Sequence, residues 1–238
     1  MGDLVLGRRG SVAGDATSRR PARPVILQLG VQAAALTITF ALAGCAESTA
    51  ADTAVSEHEL QAKIDYCETC HGQSGRGFHG YYPIPRLAGQ QPDYIENQLQ
   101  AFIEQRRTSN IMKNVAHVLS PPMVAALAAK FEALNPPPLG GAPKELRDAG
   151  KKIFEEGVPD KEVPPCASCH GADAKGNGQF PRLAGQLHDY IFNKLMNFEK
   201  ERGQNPDKPD TSAIMQPIAH ALTEPQIKAV AAYLNYLE

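Results

Sequence analysis

The 238-residue sequence has little of three features, and each shortage excludes a class of protein. It has no convincing alternation of polar and apolar residues, the pattern typical of half-buried strands, so we do not expect a β-sheet protein. Its 24 Lys and Arg residues do not outnumber its 26 Asp and Glu residues, which gives no reason to expect a nucleic-acid partner. Only five cysteines occur, and four of them form two CxxC pairs, which leaves none for a disulfide framework.

The two cysteine pairs belong to two copies of the pentapeptide CxxCH. Two thiols at this spacing can each add to a vinyl group of one porphyrin, and the adjacent histidine can then bind the iron. We therefore expect two covalently attached haem c groups, each with a histidine as proximal iron ligand. The residues concerned are Cys67, Cys70 and His71 in the first copy and Cys166, Cys169 and His170 in the second.

Two other uses of CxxC pairs are known in proteins. Exported proteins oxidise thiols to disulfides, and zinc ribbons use CxxC knuckles that lie about 15 to 20 residues apart. Here Cys70 and Cys166 are 96 positions apart. Neither a zinc site nor a redox dithiol requires a histidine directly after the second cysteine, so haem attachment is the preferred interpretation.

The first 44 residues have the features of an export signal, which is not part of the folded domains. Arginines precede an apolar run from Val25 to Gly44. The tetrapeptide Leu42-Ala43-Gly44-Cys45 resembles a bacterial lipobox, in which Cys45 is acylated and becomes the N-terminus, so we expect a periplasmic protein tethered to the membrane. The alternatives are an uncleaved membrane anchor, ordinary cleavage at a nearby small residue, and a start codon assigned too early.

The chain beyond residue 44 is mildly acidic. The first 44 residues contain five arginines and two aspartates, which leaves 19 basic and 24 acidic side chains and a net charge near −5. Such a balance fits a redox partner with a basic docking surface and again gives no reason to invoke nucleic acid.

The same part of the chain is an internal duplication. Pro85-Arg86-Leu87-Ala88-Gly89-Gln90 recurs as Pro181-Arg182-Leu183-Ala184-Gly185-Gln186, and Asp-Tyr-Ile follows each copy after two further residues. Consecutive prolines between the copies exclude helix there. We therefore predict a flexible tether at 45–56, a first domain at 57–135, a proline-rich linker at 136–143 and a second domain at 144–238.

Each copy is predicted to be all-α, with three helices. Apolar residues recur at i, i+3, i+4 and i+7 from Val124 to Phe131 and from Ile227 to Leu234, with Ser120 and Thr223 as candidate N-caps. The other predicted helices are Asp93–Arg106, Asp189–Glu201, and one leading into each CxxCH, at about 56–66 and 144–156.

Met112 and Met215 are the predicted distal iron ligands, because they alone among the five methionines are equivalent under the repeat. Each lies between the second and the last predicted helix, where a loop could fold over the open face of the haem. A thioether opposite a histidine raises the reduction potential, which suits an electron carrier. His117 and His220 are also equivalent to each other, so bis-histidine ligation is an alternative; ordinary packing of the methionines is another.

Units of under 100 residues have limited apolar cores, so the haem is expected to complete each one. His79 and His188 occupy loop positions that are not equivalent, and we expect both to be solvated. The side chains predicted to cover the haem faces are Leu87, Leu99, Phe102 and Leu127 in the first unit and Leu183, Leu195, Phe198 and Val230 in the second.

Taken together, the two CxxCH motifs, the doubled PRLAGQ with DYI, the methionine before the last helix and the C-terminal AAYL resemble the dihaem cytochrome c4 family over about residues 57–238. The resemblance implies two tandem class I cytochrome c domains that face each other across a pseudo-twofold axis. It also implies that the carbonyls of Pro85 and Pro181 accept hydrogen bonds from the proximal histidines. Arg86 and Arg182 are then candidates to pair with haem propionates, or else lie on the surface.

By the same resemblance, the protein carries electrons from a quinol-oxidising complex to a terminal oxidase and performs no bond chemistry. One alternative is a cytochrome subunit of a periplasmic dehydrogenase. Another is an enzyme, such as a thiosulfate dehydrogenase or a peroxidase, with one open haem. An enzyme of that kind requires one distal methionine to be absent or replaceable, and the symmetric placement of Met112 and Met215 argues against it.

Overall fold

The structure is a computed structural model that describes residues 54–203, 205, 207–208 and 211–238. The predicted export segment 1–44, the candidate lipidation site Cys45 and most of the predicted tether lie outside the described residues. The described part contains ten α-helices and isolated β-bridges but no strand, as the all-α prediction requires. None of its helices combines the length and the apolar character that crossing a membrane requires.

The first repeat contains four α-helices, one more than predicted. The fourth helix packs against the first two, and the second also packs against the third. The extra helix is the short third one, which the Ser109 side chain caps by accepting a hydrogen bond from the Met112 N–H. The helices are α1 (Glu57–His71), α2 (Pro92–Ile103), α3 (Asn110–His117) and α4 (Pro121–Glu132).

The second repeat contains six α-helices, because two of its segments are interrupted. Its last helix packs against the first and third helices of this repeat, and the third and fourth contact the fifth. Short 3-10 turns precede and follow the first helix of the repeat, at Lys144–Leu146 and Pro159–Lys161. The helices are α5 (Arg147–Glu156), α6 (Ala167–His170), α7 (His188–Met196), α8 (Phe198–Glu201), α9 (Ser212–Ala221) and α10 (Glu224–Leu234).

The helices that lead into the two CxxCH motifs differ between the repeats. Helix α1 continues through its motif to His71, further than the predicted end near residue 66. In the second repeat, Gly157 has φ +75° and ends α5, and a loop precedes the short helix α6 that carries the motif. The backbone at Gly157 approaches the Val163 carbonyl so closely that a Cβ there would lie 2.3 Å from its oxygen, which favours glycine at this break.

The second helix of each repeat is shorter than the sequence predicts. Helix α2 stops at Ile103, before Gln105 turns into the left-handed region at φ +60°. The predicted helix Asp189–Glu201 breaks at Asn197, whose φ of −114° and ψ of 21° separate α7 from α8. By contrast, the candidate caps of the last helices are confirmed, because Ser120 accepts from the Met123 N–H and Thr223 forms a capping box with Gln226.

Each repeat has a small apolar core between its first and last long helices. In the second repeat, Phe154 of α5 is fully buried against Val230 and Leu234 of α10. The two helices cross where α5 has a glycine, since a Cβ on Gly150 would lie 2.0 Å from the Ala229 carbonyl oxygen. Backbone-to-backbone contact at this crossing therefore requires the absence of a side chain.

The predicted linker is non-helical and is fixed to the second repeat. The Ala142 N–H donates to Asn235 Oδ1 at 3.3 Å, and the Tyr236 hydroxyl donates to the Ala142 carbonyl at 2.5 Å. Asn235 is fully buried and also donates to the Gln186 carbonyl at 2.9 Å. The end of the linker is thus ordered by hydrogen bonds to the end of α10.

Replacing Gly150 with alanine should destabilise the haem-loaded protein by about 1 kcal/mol. Overpacking a tight contact costs about 1–3 kcal/mol, and the better helix propensity of alanine returns only about 0.5–1 kcal/mol. Guanidinium unfolding followed by circular dichroism measures the difference. Lys151→Ala, on the exposed side of the same helix, is the control and should change stability little. Unchanged stability in Gly150→Ala would contradict the helix crossing.

Candidate haem sites and the surface between the repeats

The two CxxCH histidines have the same environment in both repeats. His71 and His170 are 8% and 5% exposed. The Nδ1 of His71 lies 2.8 Å from the Pro85 carbonyl oxygen, and that of His170 lies 2.9 Å from the Pro181 carbonyl oxygen. A carbonyl accepts but cannot donate, so the ring proton is on Nδ1 and the lone pair of Nε2 is free for a metal.

Burial keeps both imidazoles neutral. It lowers the pKa of His71, where the Pro85 hydrogen bond opposes the shift and the nearby Arg107 adds to it. It likewise lowers the pKa of His170 against the opposing hydrogen bond to Pro181. An iron ligand must be unprotonated at Nε2, so this environment suits ligation.

The loop between each histidine and its proline carbonyl is held by the same backbone hydrogen bonds in both repeats. The N–H of Gly77 donates to the His71 carbonyl at 2.7 Å, and that of Gly176 donates to the His170 carbonyl at 2.8 Å. Leu87 N–H reaches the Gly75 carbonyl at 2.7 Å, and Leu183 N–H reaches its counterpart, the Ala174 carbonyl, at the same distance. The duplicated sequence therefore folds into a duplicated loop.

The four described cysteines form no disulfide with one another. Burial raises the pKa of Cys67 and of Cys166 to about 11. The first cysteine of a redox-active CxxC motif has a lowered pKa instead, because the thiolate is the reactive form. The described thiols thus lack the activation of a redox dithiol, whereas each pair and its histidine have the donor set that covalent haem c requires.

The predicted distal methionines lie on helices, not in loops as expected from the sequence. Met112 is in α3 and Met215 is in α9, and both are half-buried. The competing histidines lie one turn or more further along the same helices and are exposed, with the His220 side chain 76% exposed beside Glu199. The methionines are therefore more buried than the competing histidines.

The sequence matches the cytochrome c family model over residues 147–238. It is 38% identical over 176 residues to cytochrome c4 of Thiocapsa roseopersicina, which covers 72% of this chain and 86% of that protein. The chain belongs to the dihaem cytochrome c4 family. A solved cytochrome c4 structure from Acidithiobacillus ferrooxidans is 38% identical, with a TM-score of 0.61, and covers 73% of this chain and 99% of that one.

Another relative of this cytochrome has a name that states a partner. It is the thiosulfate dehydrogenase electron acceptor of Stutzerimonas stutzeri strain A1501, which is 33% identical over 170 residues, or 70% of this chain and 76% of that protein. Family membership confirms the predicted tandem class I cytochrome c folds, the two covalently bound haem c groups and the electron-transfer function.

The two repeats of the cytochrome are joined by a reciprocal pair of glutamines. Gln186 accepts from the Arg86 N–H at 2.8 Å and donates to the Arg86 carbonyl at 3.0 Å. Gln90 accepts from the Arg182 N–H at 2.7 Å and donates to the Arg182 carbonyl at 3.0 Å. Each glutamine is 6% exposed. They end the two PRLAGQ motifs, and sequence reasoning missed their role although the repeat itself singled them out.

Arg86 and Arg182 are buried between the repeats, so of the two alternatives given for them the one that puts them on the protein surface is wrong. They are 3% and 7% exposed, and each Nε donates to a carbonyl of its own repeat, Ala88 or Ala184, at 3.0 Å. Both Nη2 groups reach the same acceptor, Asn135 Oδ1, at 3.4 and 3.5 Å. Each arginine is buried because the other repeat packs over its motif. That contact exists only in the tertiary structure, so the sequence could not show the burial.

Neither guanidinium group forms an ion pair with a carboxylate among the residues that the structure describes. Burial lowers the pKa of Arg182, and the charge of Asp173 only opposes that shift. Burial, and then the nearby charges of Arg182 and Arg76, lower the pKa of Arg86 to about 10. Arg86 Nη1 is buried and has no hydrogen-bond partner within that part of the chain. Two buried cations close together favour an anion between them or beside them.

A second layer of arginines also crosses between the repeats. Arg107 donates to the Tyr190 hydroxyl at 2.7 Å, and Arg202 donates to the Tyr94 hydroxyl at 3.2 Å. Both guanidinium groups also donate to Gln98 Oε1. The tyrosines belong to the doubled Asp-Tyr-Ile, so this second motif too serves the contact between repeats.

One further expectation about histidines fails. His79 is exposed, as predicted, but the His188 side chain is only 16% exposed, and its Nδ1 lies 2.9 Å from Asp189 Oδ1. Its Nε2 is buried with no hydrogen-bond partner among the described residues. His188 begins α7, so the fold turns a residue that the sequence assigns to a loop toward the interior.

Proposed function

We propose that this cytochrome is a periplasmic electron carrier of a respiratory chain, which passes electrons from a quinol-oxidising complex to a terminal oxidase. The observation that carries the proposal is the doubled histidine environment. His71 and His170 are buried and neutral, and each has its Nδ1 hydrogen engaged by a proline carbonyl at 2.8 or 2.9 Å. Two sites with equivalent buried histidines suit outer-sphere electron transfer, which needs no open iron position.

Haem c, when bound, supplies a one-electron couple whose potential depends on its ligands and surroundings. In our proposal the thiols of Cys67, Cys70, Cys166 and Cys169 attach the two groups, and His71 and His170 are the proximal ligands. The carbonyls of Pro85 and Pro181 fix the ring orientation of those histidines. The rest of the chain would exclude water from the haem sites and keep the iron ligands in fixed positions.

Met112 and Met215 are the proposed distal ligands. Their support is that each is half-buried on a helix that packs against the second helical segment of its own repeat, α2 for α3 and α7 for α9. His117 and His220 are exposed near the far ends of those helices. Thioether ligation on both irons would give both haems the raised potentials of carriers.

Purified haem-loaded protein should contain two low-spin haems whose spectra do not change when cyanide is added, and both should titrate reversibly. Met112→His and Met215→His should each lower the potential of one haem, because imidazole stabilises ferric iron more than a thioether does. A spectroscopic redox titration measures both effects.

His117→Ala and His220→Ala are the matched controls and should leave both potentials unchanged. If they moved the potentials and the methionine variants did not, the distal assignment would be wrong. A high-spin haem that binds cyanide in the unmodified protein would instead favour the enzymatic alternative.

Arg86 and Arg182 are proposed to pair with haem propionates at the surface between the repeats. Both are buried cations, Arg86 has an unpartnered buried Nη1, and neither forms an ion pair with a carboxylate in the part of the chain that is described. A propionate would supply the missing negative charge and the missing acceptor.

Arg182→Gln should lower the haem potentials by roughly tens of millivolts, since for one electron 59 mV corresponds to about 1.4 kcal/mol. Loss of a cation leaves more uncompensated negative charge near the iron and so favours the ferric state. The control is Arg147→Gln, because Arg147 is exposed and lies over the Tyr236 ring. Equal small shifts in both variants, measured by voltammetry, would rule out the pairing.

The runner-up proposal is that the cytochrome accepts electrons from a periplasmic dehydrogenase. The observation that favours it is the similarity to a protein named as a thiosulfate dehydrogenase electron acceptor. The two proposals share the same sites and differ only in the donor. Copurification with a dehydrogenase, and reduction by it in a reconstituted assay, would select this alternative over a quinol-oxidising donor.

Periplasmic location and membrane tethering are proposed from the N-terminal sequence, with Cys45 as the lipidated residue. The full-length protein, expressed with haem-attachment machinery, should therefore sediment with membranes, and Cys45→Ser should alter that partition or the cleavage site. Fractionation and the mass of the mature N-terminus give the result. A soluble protein with an unmodified N-terminus would show that the anchor does not exist.

A further inference from the structure

One peptide group in each repeat is hydrogen-bonded on both of its sides. The carbonyl of Pro85 and the N–H of Arg86 belong to the same peptide. The carbonyl lies 2.8 Å from Nδ1 of His71, and the N–H donates to Gln186 Oε1, also at 2.8 Å. A glutamine of the second repeat is therefore one peptide away from the proximal histidine of the first.

The opposite repeat has the mirror arrangement. The Pro181 carbonyl lies 2.9 Å from Nδ1 of His170, and the Arg182 N–H of the same peptide donates to Gln90 Oε1 at 2.7 Å. Each proximal histidine is thus supported by a glutamine of the other repeat: His71 by Gln186, and His170 by Gln90.

The orientation of each glutamine amide is determined by its neighbours. Gln186 Oε1 accepts a second hydrogen bond from the Leu187 N–H at 3.0 Å, and Gln90 Oε1 accepts one from the Gln91 N–H at 2.9 Å. Because both donors are backbone N–H groups, the oxygen and not the nitrogen must face them. The remaining Nε2 donates to a carbonyl in each case, at 3.0 Å. Both amides are therefore satisfied and locked.

We infer that Gln186 and Gln90 are positioning residues that tune the proximal histidine of the opposite repeat, so that each sets the potential of the haem that the other half of the chain holds. The inference rests on the proposed function, in which His71 and His170 ligate iron. Gln186 acts on the first haem and Gln90 on the second.

The direction of the effect follows from polarisation along the hydrogen-bonded chain. A hydrogen bond to the N–H of a peptide makes its carbonyl a stronger acceptor. A stronger acceptor at Nδ1 makes the imidazole a more basic ligand, which favours ferric iron and lowers the potential. Removing the glutamine oxygen should raise the potential of the opposite haem, whereas a carboxylate in its place should lower it.

The test uses the full haem-loaded protein. The unmodified protein is titrated first, which checks the proposed function independently, because two reversible low-spin haems must be present whatever the glutamines do. Gln186→Leu should then raise the potential of the first haem more than that of the second, and Gln90→Leu should show the reverse. Gln186→Glu and Gln90→Glu should shift the same haems downward.

The two haems are followed separately by their paramagnetic NMR signals, with Met112→His and Met215→His as markers of the first and second site. The NMR signals of the ring protons of His71 and His170 give a second readout, which should move with the opposite glutamine. A purely structural role would not produce this crossed pattern.

Gln91→Leu is the matched control. Gln91 also crosses between the repeats, since its Nε2 donates to the Lys175 carbonyl at 2.9 Å, but this hydrogen bond is exposed. The N–H of the same peptide, on Gly176, donates to the backbone carbonyl of His170 and not to its ring, so Gln91 does not support an Nδ1 acceptor. Loss of this hydrogen bond should leave the potentials of both haems unchanged. The control separates weakening of the contact surface from tuning of the ligand.

Several outcomes would overturn the inference. They are equal shifts at both haems, a shift confined to the haem of the mutated repeat, and shifts no larger than those of Gln91→Leu. If both the leucine and the glutamate variant at one position prevented haem incorporation, the glutamine would be a folding contact and the inference would likewise be rejected.

Discussion

The structure depends on a buried peptide group that joins a proline to an arginine in each repeat. Its carbonyl faces the CxxCH histidine, and its N–H faces the other half of the molecule. A buried peptide group left without partners is costly, so both sides must be satisfied at once. The loop that presents the carbonyl and the glutamine that receives the N–H are therefore parts of one constraint. The histidine environment and the contact between repeats cannot be varied independently.

Apolar packing alone does not explain the fold. The main buried cluster of each repeat has only six or seven residues, gathered around Phe131 in the first and Phe154 in the second. Such clusters are small for units of this size, which agrees with the expectation that the broad apolar faces of a covalently attached haem complete them. The contact between the repeats is mostly polar instead. Buried arginines, glutamines and tyrosine hydroxyls fix a single geometry there, since a hydrogen-bonded amide tolerates little displacement.

Sequence patterns predicted the chemistry better than the shape. The CxxCH motif identifies the two thiols and the histidine directly, because all three groups must reach one porphyrin from nearby positions in the chain. The repeat selected Met112 and Met215 by equivalence alone. It did not show that both are helical, because α3, which Ser109 caps, has only eight residues and is too short for a repeated apolar pattern. The break at Asn197 and the extension of α1 to His71 also depend on neighbouring contacts that periodicity does not contain.

The sequence by itself determined that two equivalent haem-attachment units occur in tandem. The groups that attach each haem are adjacent in the chain, and the motifs of the two copies can be aligned directly. Only the tertiary structure decided what the arginine and the glutamine of each PRLAGQ motif do. Arg86 and Gln186 are 100 positions apart, and nothing in local spacing relates them. Burial of both arginines, their shared acceptor Asn135 and the crossed glutamines arise when the two halves meet. Contacts between distant segments depend on how the surfaces fit, and a linear pattern does not encode that fit.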